Sequence, residues 1–386
     1  MTAIHDNTFS SQVTYYLGID YCLPYWKGRV ALYAILEALN LQAGDEVILP
    51  GFTCVAAPNA LQYRGVTPVY VDIDETTYTI DPSLIEEKIT PRTRAVIIQN
   101  TFGLAPDYDA ILPIAWRRGL TVIEDAAHGF GALYKGKPAG SLADAAFFST
   151  QWNKPFSTGI GGFAVTNDPA IGEKLRANLI HYTRPTLFER LLLRAELTAH
   201  AHLLTPSLYW PAVSVYRALT HRGLIPGSSS RHELAGRMPP DFKKGFSPVQ
   251  AKWAARALAD VDAVLKHRKD VAGRYDAMMD DLGMQKPARP EYAEHSFLRY
   301  PALARDRASL LAEARRRRIE IGDWFNCVLH PRGPALETFG YKAGACPVGE
   351  RVAARIINLP THPKINEKEI QRMYNFLKDM RVKGYL

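Results

Sequence analysis

The chain has 386 residues, 47% hydrophobic and 22% charged, with a formal net charge of +8. That length allows two domains and a large core, and the composition excludes a disordered or fibrous chain. Charge is uneven: residues 1–183 carry a net −5, residues 184–240 +4 and residues 241–386 +9. A basic C-terminal half attracts phosphorylated substrates or an anionic surface. Its densest run, Arg315 to Arg318, reads as the solvated end of a surface helix. No nucleic-acid motif accompanies it, so no nucleic-acid partner is expected. Cys22, Cys54, Cys327 and Cys346 are scattered without a C-x-x-C pair, which fits reduced cytosolic thiols better than a disulfide frame or a metal site. Met1 to Ser11 is polar rather than leader-like, so a cytoplasmic location is expected.

Residues 29–183 alternate apolar runs with helix-periodic runs. Val30 to Leu39 places Ala31, Ala34, Ile35 and Ala38 on one helical face. Glu46 to Leu49 is a short strand stopped by Pro50-Gly51. Val69–Val71, Ala95–Ile98, Leu120–Ile123 and Ala145–Phe148 are further strands, with a helix over Asp107 to Arg118. Several strands lack polar alternation, as strands buried on both faces of a parallel sheet do. The pattern predicts a wound α/β domain.

Residues 184–240 break the alternation. Leu197 to Tyr216 contains no Asp, Glu, Lys or Arg, but Pro206 and Pro211 make it a poor membrane span. The stretch reads as a helical excursion covering the site or a subunit contact. The sharper alternative is an apolar, basic-flanked patch over 187–226 resting on the inner face of a membrane. His200 and His202 alone make a weak metal signal. Gly227 to Ser230 reads as a flexible joint. Ser247 to Lys269 then reads as one long helix, followed by a smaller α+β region. That region has strands at Phe297–Tyr300 and Ile356–Leu359 and helices at Arg307–Arg318 and Glu367–Leu377. The expected division is a large domain over 1–240, excursion included, and a small C-terminal domain over 241–386.

Two apolar runs carry chemistry. Val122-Ile123-Glu124-Asp125 ends in a carboxylate; Phe147-Phe148-Ser149 is followed five residues later by Lys154. In a parallel α/β sheet ligands bind beyond the carboxyl ends of strands, so Asp125 and Ser149 point to one rim. Pyridoxal phosphate needs an amine to hold its aldehyde and a carboxylate to keep its pyridine nitrogen protonated. Lys154 suits the first role and Asp125 the second. His128-Gly129-Phe130-Gly131 contains G-x-G, but lacks the third glycine of a dinucleotide fingerprint.

Gly44-Asp45-Glu46-Val47-Ile48-Leu49-Pro50-Gly51-Phe52-Thr53 resembles the signature of DegT/StrS-type sugar aminotransferases. Val71 to Asp74, Val122 to His128, Phe148 to Lys154, Gly161 to Asp168 and Leu359 to Pro363 match that family in order. The resemblance covers nearly all the chain except 184–240. It implies a PLP-dependent transferase of fold type I, with a mostly parallel central sheet flanked by helices. It also implies a homodimer with shared active sites. By resemblance, Lys154 is catalytic and Asp125 meets the pyridine nitrogen. His128 lies beside the phenolic oxygen. Ser149 and the backbone near Arg29 and Val30 hold the phosphate, since a helix start favours an anion. A dehydratase branch of this fold carries His in place of Lys154, so the lysine argues against that branch.

Two positions depart from the family. Cys54 stands where an aromatic ring usually stacks on the cofactor. Lys243 stands where an Asn usually reaches the neighbouring subunit's phosphate. The implied function is transfer of an amino group from an amino acid, glutamate by expectation, to a keto-sugar. That sugar is expected to be nucleotide-linked, with a lean to 4-keto from His128, in polysaccharide or glycoconjugate synthesis. The alternatives are a lipid-linked sugar or keto-cyclitol as acceptor, and a non-catalytic PLP-binding regulator.

Overall fold

The computed structural model describes residues 7–203, 230–333 and 335–386. The expectation for 187–226 therefore falls largely outside the described residues, as does most of the joint at 227–230.

The first helix, α1 (Asn7–Leu17), was not expected from the polar start. Phe9, Val13 and Leu17 repeat at helical spacing and are buried against Phe130, Phe148, Phe156 and Phe163. Then come β1 (Tyr21–Tyr25), α2 (Gly28–Ala38), β2 (Glu46–Pro50), β3 (Thr53–Cys54), α3 (Ala56–Gln62), β4 (Thr67–Val71) and β5 (Thr93–Gln99). Next are α4 (Tyr108–Arg118), β6 (Thr121–Asp125), β7 (Leu133–Tyr134), β8 (Lys137–Pro138), β9 (Ala145–Ser149), β10 (Gly162–Thr166), α5 (Pro169–Leu179) and α6 (Leu187–Leu203).

The main sheet has seven strands in the order β1-β10-β9-β6-β5-β2-β4. From β9 to β4 all pairings are parallel, while β10 runs antiparallel to both its neighbours. The fully buried β2 and the near-continuous burial of β5 and β9 explain their lack of polar alternation. In register, Gln99 lies beside Asp125 and Asp125 beside Phe147, so three strand ends form one rim.

Beyond α7 (Arg231–Leu234), the expected single helix over 247–269 is two. They are α8 (Pro248–Ala259) and α9 (Val261–Asp281), parted at Asp260. No glycine or proline marks the break. Ala254 and Leu258 before it, and Val261 and Leu265 after it, share one apolar cluster, so the bend keeps both sides packed on α1.

The C-terminal region holds β11 (Ala293–Glu294), β12 (Tyr300–Leu303), α10 (Arg307–Arg316), β13 (Leu329–His330), α11 (Pro347–Arg355), β14 (Ile356–Leu359) and α12 (Glu367–Val382). The strand expected at 297–300 starts at Tyr300. Phe297 has φ +50, outside strand geometry, and stacks on His295. At the end of α10, Arg316 and Arg317 pair with Glu313, and Arg317 also with Asp379. Most of this region packs around its own core of Tyr275, Tyr300, Met279 and Phe376. Val328, Leu329, Phe339 and Tyr341 instead join the core of the main sheet. That return brings β13 parallel to β3, with His330 in register with Cys54.

Candidate active site

A cavity of about 360 Å³ opens at the carboxyl ends of β5, β6 and β9. Asp125, His128, Ser149, Lys154, Arg29 and Cys54 all line it. Of the residues singled out from the sequence, Val30 and Lys243 do not.

Asp125 ends β6, buried, and its Oδ1 accepts the Ala127 N–H at 2.9 Å. Burial pushes its carboxyl up to about 6, against the pull of that N–H and of Lys154. Lys154 sits in the loop between β9 and β10. The loop is closed by Thr150 N–H to Gly161 O (3.0 Å), Trp152 N–H to Gly159 O (3.2 Å) and the Thr150–Thr158 hydroxyl pair (2.6 Å). Arg268, 2% exposed, holds this loop from outside, donating to Asn153 O (3.4 Å), Leu298 O and Thr361 Oγ1 (both 2.9 Å). Burial, followed by the charge of Arg299, lowers the Lys154 amine to about 7. An amine so placed supplies a substantial free-base fraction at neutral pH, as an attacking group must.

His128 stacks on Trp324 (centroids 5.3 Å apart) and Phe325 (5.8 Å). Its Nδ1 is buried without a hydrogen-bond partner, and burial keeps the ring neutral. Cys54 is half-buried and burial raises its thiol, which keeps it protonated. Rings near it come from the far end of the chain: Trp324, Phe325 and His330 line the cavity. Sequence reasoning missed these three, and also Lys27 and Gln99. Gln99 was the legible one, as the last residue of a predicted strand's continuation.

Helix α2 starts at the same rim. A Cβ on Gly162 would fall 2.3 Å from Gly28 Cα, so only two glycines let the helix start this close to β10. Gly28 and Arg29 line the cavity. Val30 does not line the cavity, and its N–H donates to Lys27 O (3.0 Å) within the first turn of α2. Lys243 lies elsewhere in this chain. Its Nζ donates to Glu37 Oε1 at 2.6 Å and stands 5.1 Å from the Tyr33 ring. His200 stacks on Trp152 (4.7 Å), a packing role.

A carboxylate, a buried amine of lowered basicity, an orphaned ring nitrogen and a helix start around one cavity fit the ring, aldehyde and phosphate of pyridoxal phosphate. With this sheet they define a PLP-dependent transferase of fold type I. The model of the DegT/DnrJ/EryC1/StrS aminotransferase family matches residues 4–192 and 216–378, and the chain belongs to that family. GDP-perosamine synthase of Caulobacter vibrioides is 30% identical over 361 residues, spanning 93% of this chain and 85% of that one. UDP-2-acetamido-2-deoxy-3-oxo-D-glucuronate aminotransferase of Pseudomonas aeruginosa is 29% identical over 357 residues, 92% of this chain and 85% of that one. The crystal structure of DesV from S. venezuelae superposes with a TM-score of 0.75 at 25% identity, over 96% of this chain and 87% of that one. The chain is a PLP-dependent aminotransferase.

Proposed function

We propose that the chain moves an amino group from glutamate to a nucleotide-linked keto-sugar, with a lean to the 4-keto position. The meeting of Asp125, Lys154 and His128 around one cavity carries this reading. Bound pyridoxal phosphate supplies a sink for the electrons left when a proton leaves the donor's α-carbon. Asp125 holds the ring's pyridinium. Lys154 Nζ takes that proton and returns it. His128, neutral and stacked, positions the ring's phenolic edge. The relatives named above act on sugars bearing GDP or UDP by their names, which supports a nucleotide-linked acceptor. They do not choose the carbon, and the 4-keto lean rests on His128.

Among the described residues no helix is long and apolar enough to cross a membrane. The exposed Leu187, Phe188 and Leu191 of α6 favour a second reading, a lipid-linked acceptor met at a membrane surface. Co-sedimentation with anionic liposomes decides between the two acceptors. In the proposed homodimer, Lys243, 38% exposed, is assigned to the neighbour's phosphate.

The test of the main reading is the visible spectrum of the purified protein before and after glutamate. The expected result is a lysine-bound cofactor band that glutamate converts to the amine form, and that Lys154→Ala abolishes. A bound cofactor that no amino donor converts would favour the regulatory alternative.

A further inference from the structure

We propose that Arg307 and Arg332, gathered on one carbonyl at the rim of the cavity, hold the diphosphate of the acceptor. The proposal rests on the sugar-acceptor reading above. The loop that carries Trp324, Phe325, His330 and Pro331 into the cavity wall turns round Asn326. Asn326 Oδ1 accepts the backbone N–H of Arg332 at 3.0 Å and lies 3.1 Å from His330 Nδ1. Its Nδ2 donates to Asp323 Oδ2 at 3.1 Å. Its main-chain oxygen takes two guanidiniums, Arg332 NH2 at 3.2 Å and Arg307 NH2 at 3.4 Å. Arg332 is exposed and directly follows Pro331, whereas Arg307 opens α10 and is half-buried.

Two positive groups thus meet on a neutral acceptor. Arg307 NH1 also donates to Ala353 O in the last turn of α11, where a carbonyl has no helical partner. Among the described residues, the acceptors of both side chains are carbonyl oxygens. Burial, and then the like charge of Arg332, hold the Arg307 guanidinium below its usual range. Asp323 pulls the other way, but gives its oxygen to Asn326. Crowded cations on long, neutral contacts gain from an anion placed between them. A guanidinium offers a planar fork that matches phosphate oxygens, and two forks at one point suit a diphosphate better than a single carboxylate. The basic C-terminal half, which the sequence analysis took to attract phosphorylated substrates, acquires a defined place in this pair. A diphosphate joins a sugar to a nucleoside or to a lipid chain, so either carrier fits the same two forks.

Cofactor-loaded full-length protein is titrated calorimetrically with inorganic pyrophosphate, uridine diphosphate and geranyl diphosphate. The lysine-bound band and the thermal midpoint are followed alongside. Pyrophosphate should bind the wild type and weaken as salt rises, because one of the two cations is exposed. Arg332→Gln should weaken it about tenfold, the scale of a lost bond to a charged group, with the band unchanged. Asp323→Asn removes a competing negative charge, keeps an oxygen for Asn326 Nδ2, and should tighten it severalfold. Arg307→Gln should weaken it as Arg332→Gln does, and also lower the thermal midpoint through the lost tie to Ala353 O. If Arg307→Gln fails to fold, the other two variants carry opposite signs and suffice. Uridine diphosphate held more tightly than pyrophosphate, with geranyl diphosphate held no more tightly, assigns the seat to a nucleotide carrier. The reverse order assigns it to a lipid carrier.

Equal pyrophosphate affinity in the wild type and Arg332→Gln overturns the proposal and leaves the arginines as ties between the loop and α11. So does a wild type that holds none of the three anions, or weaker binding in Asp323→Asn. The reading beneath the proposal fails separately. A protein that holds pyrophosphate through Arg332, while glutamate leaves its cofactor unconverted, has the seat and lacks the proposed transfer.

Discussion

The Lys154 ammonium lies 5.2 Å from the centre of the Trp324 ring, and the Arg299 guanidinium carbon lies 4.9 Å from the same ring. Burial and then Arg299 bring the lysine down from 10.5 to about 7, against the attraction of Asp125. The sign is direct. Below pH 7 the amine is protonated and cannot attack an aldehyde; above it the amine is free. The rate at which cofactor-free protein captures pyridoxal should rise through about pH 7 and level off well below pH 10. Arg299→Met removes a like charge and should move the midpoint upward by about half a unit to one unit. Stopped-flow absorbance against pH checks both. A wild-type midpoint near 10 would show that neither burial nor Arg299 acts on the amine.

Asp125 gives the complementary prediction. Its carboxyl is raised to about 6, so it is ionised at neutral pH and protonated in mild acid. A neutral acid no longer attracts the ring's cation. Cofactor affinity should therefore fall as pH drops through about 6. Asp125→Asn keeps a side-chain oxygen for the Ala127 N–H but carries no charge at any pH. It should bind the cofactor more weakly and slow glutamate conversion by roughly a hundredfold or more. Single-turnover spectra between pH 5 and 8 measure both effects.

The rim of the sheet was legible because its strands are short apolar runs and its functional residues follow them directly. Asp125 and Ser149 needed no tertiary information. The aromatic side of the cavity did need it. Trp324, Phe325 and His330 reach the site because β13 pairs with β3, a contact between opposite ends of the chain. No local periodicity encodes that. The meeting of Arg307 and Arg332 was hidden for another reason: two charges on separate elements look like surface until both are found on Asn326 O. The break at Asp260 and the helix α1 follow from packing on one apolar cluster rather than from local propensity. Lys243 is a role carried by position alone: within one chain its Nζ pairs with Glu37, and the proposed contact lies with the neighbouring subunit.

Arg268 tests how the catalytic lysine is held. Its guanidinium spans Asn153 O beside Lys154, Leu298 O and Thr361 Oγ1, and is almost wholly buried. Arg268→Met fills similar volume but removes the donor shared by the buried Leu298 O and Thr361 Oγ1 and by Asn153 O at the part-buried end, with Thr361 Oγ1 still within 3.2 Å of Leu298 O. Thr361 Oγ1 still donates to Phe297 O (2.7 Å), which limits the damage at that end. The expected cost is about 2–4 kcal/mol of stability, read from urea unfolding. Loss of the lysine-bound band in protein that remains folded would show that the loop also lost its register.

Gly162 and Gly273 make a matched pair. A Cβ at Gly162 would meet Gly28 Cα at 2.3 Å, Gly28 N at 2.4 Å and Phe148 O at 2.5 Å, all backbone and unable to turn aside. A Cβ at Gly273, inside α9, meets nothing within 4 Å. Gly162→Ala must push the start of α2 off the sheet, with an overpacking cost of about 1–3 kcal/mol. Gly273→Ala should instead stabilise by about 0.5–1 kcal/mol through its helix preference. The two should also part in binding. The displaced helix start weakens pyridoxal phosphate more than pyridoxal in Gly162→Ala, whereas Gly273→Ala leaves both affinities alone. Thermal midpoints and the two titrations on one set of proteins decide it. Equal loss of pyridoxal and pyridoxal phosphate binding in Gly162→Ala would mean that the start of α2 does not hold the phosphate end.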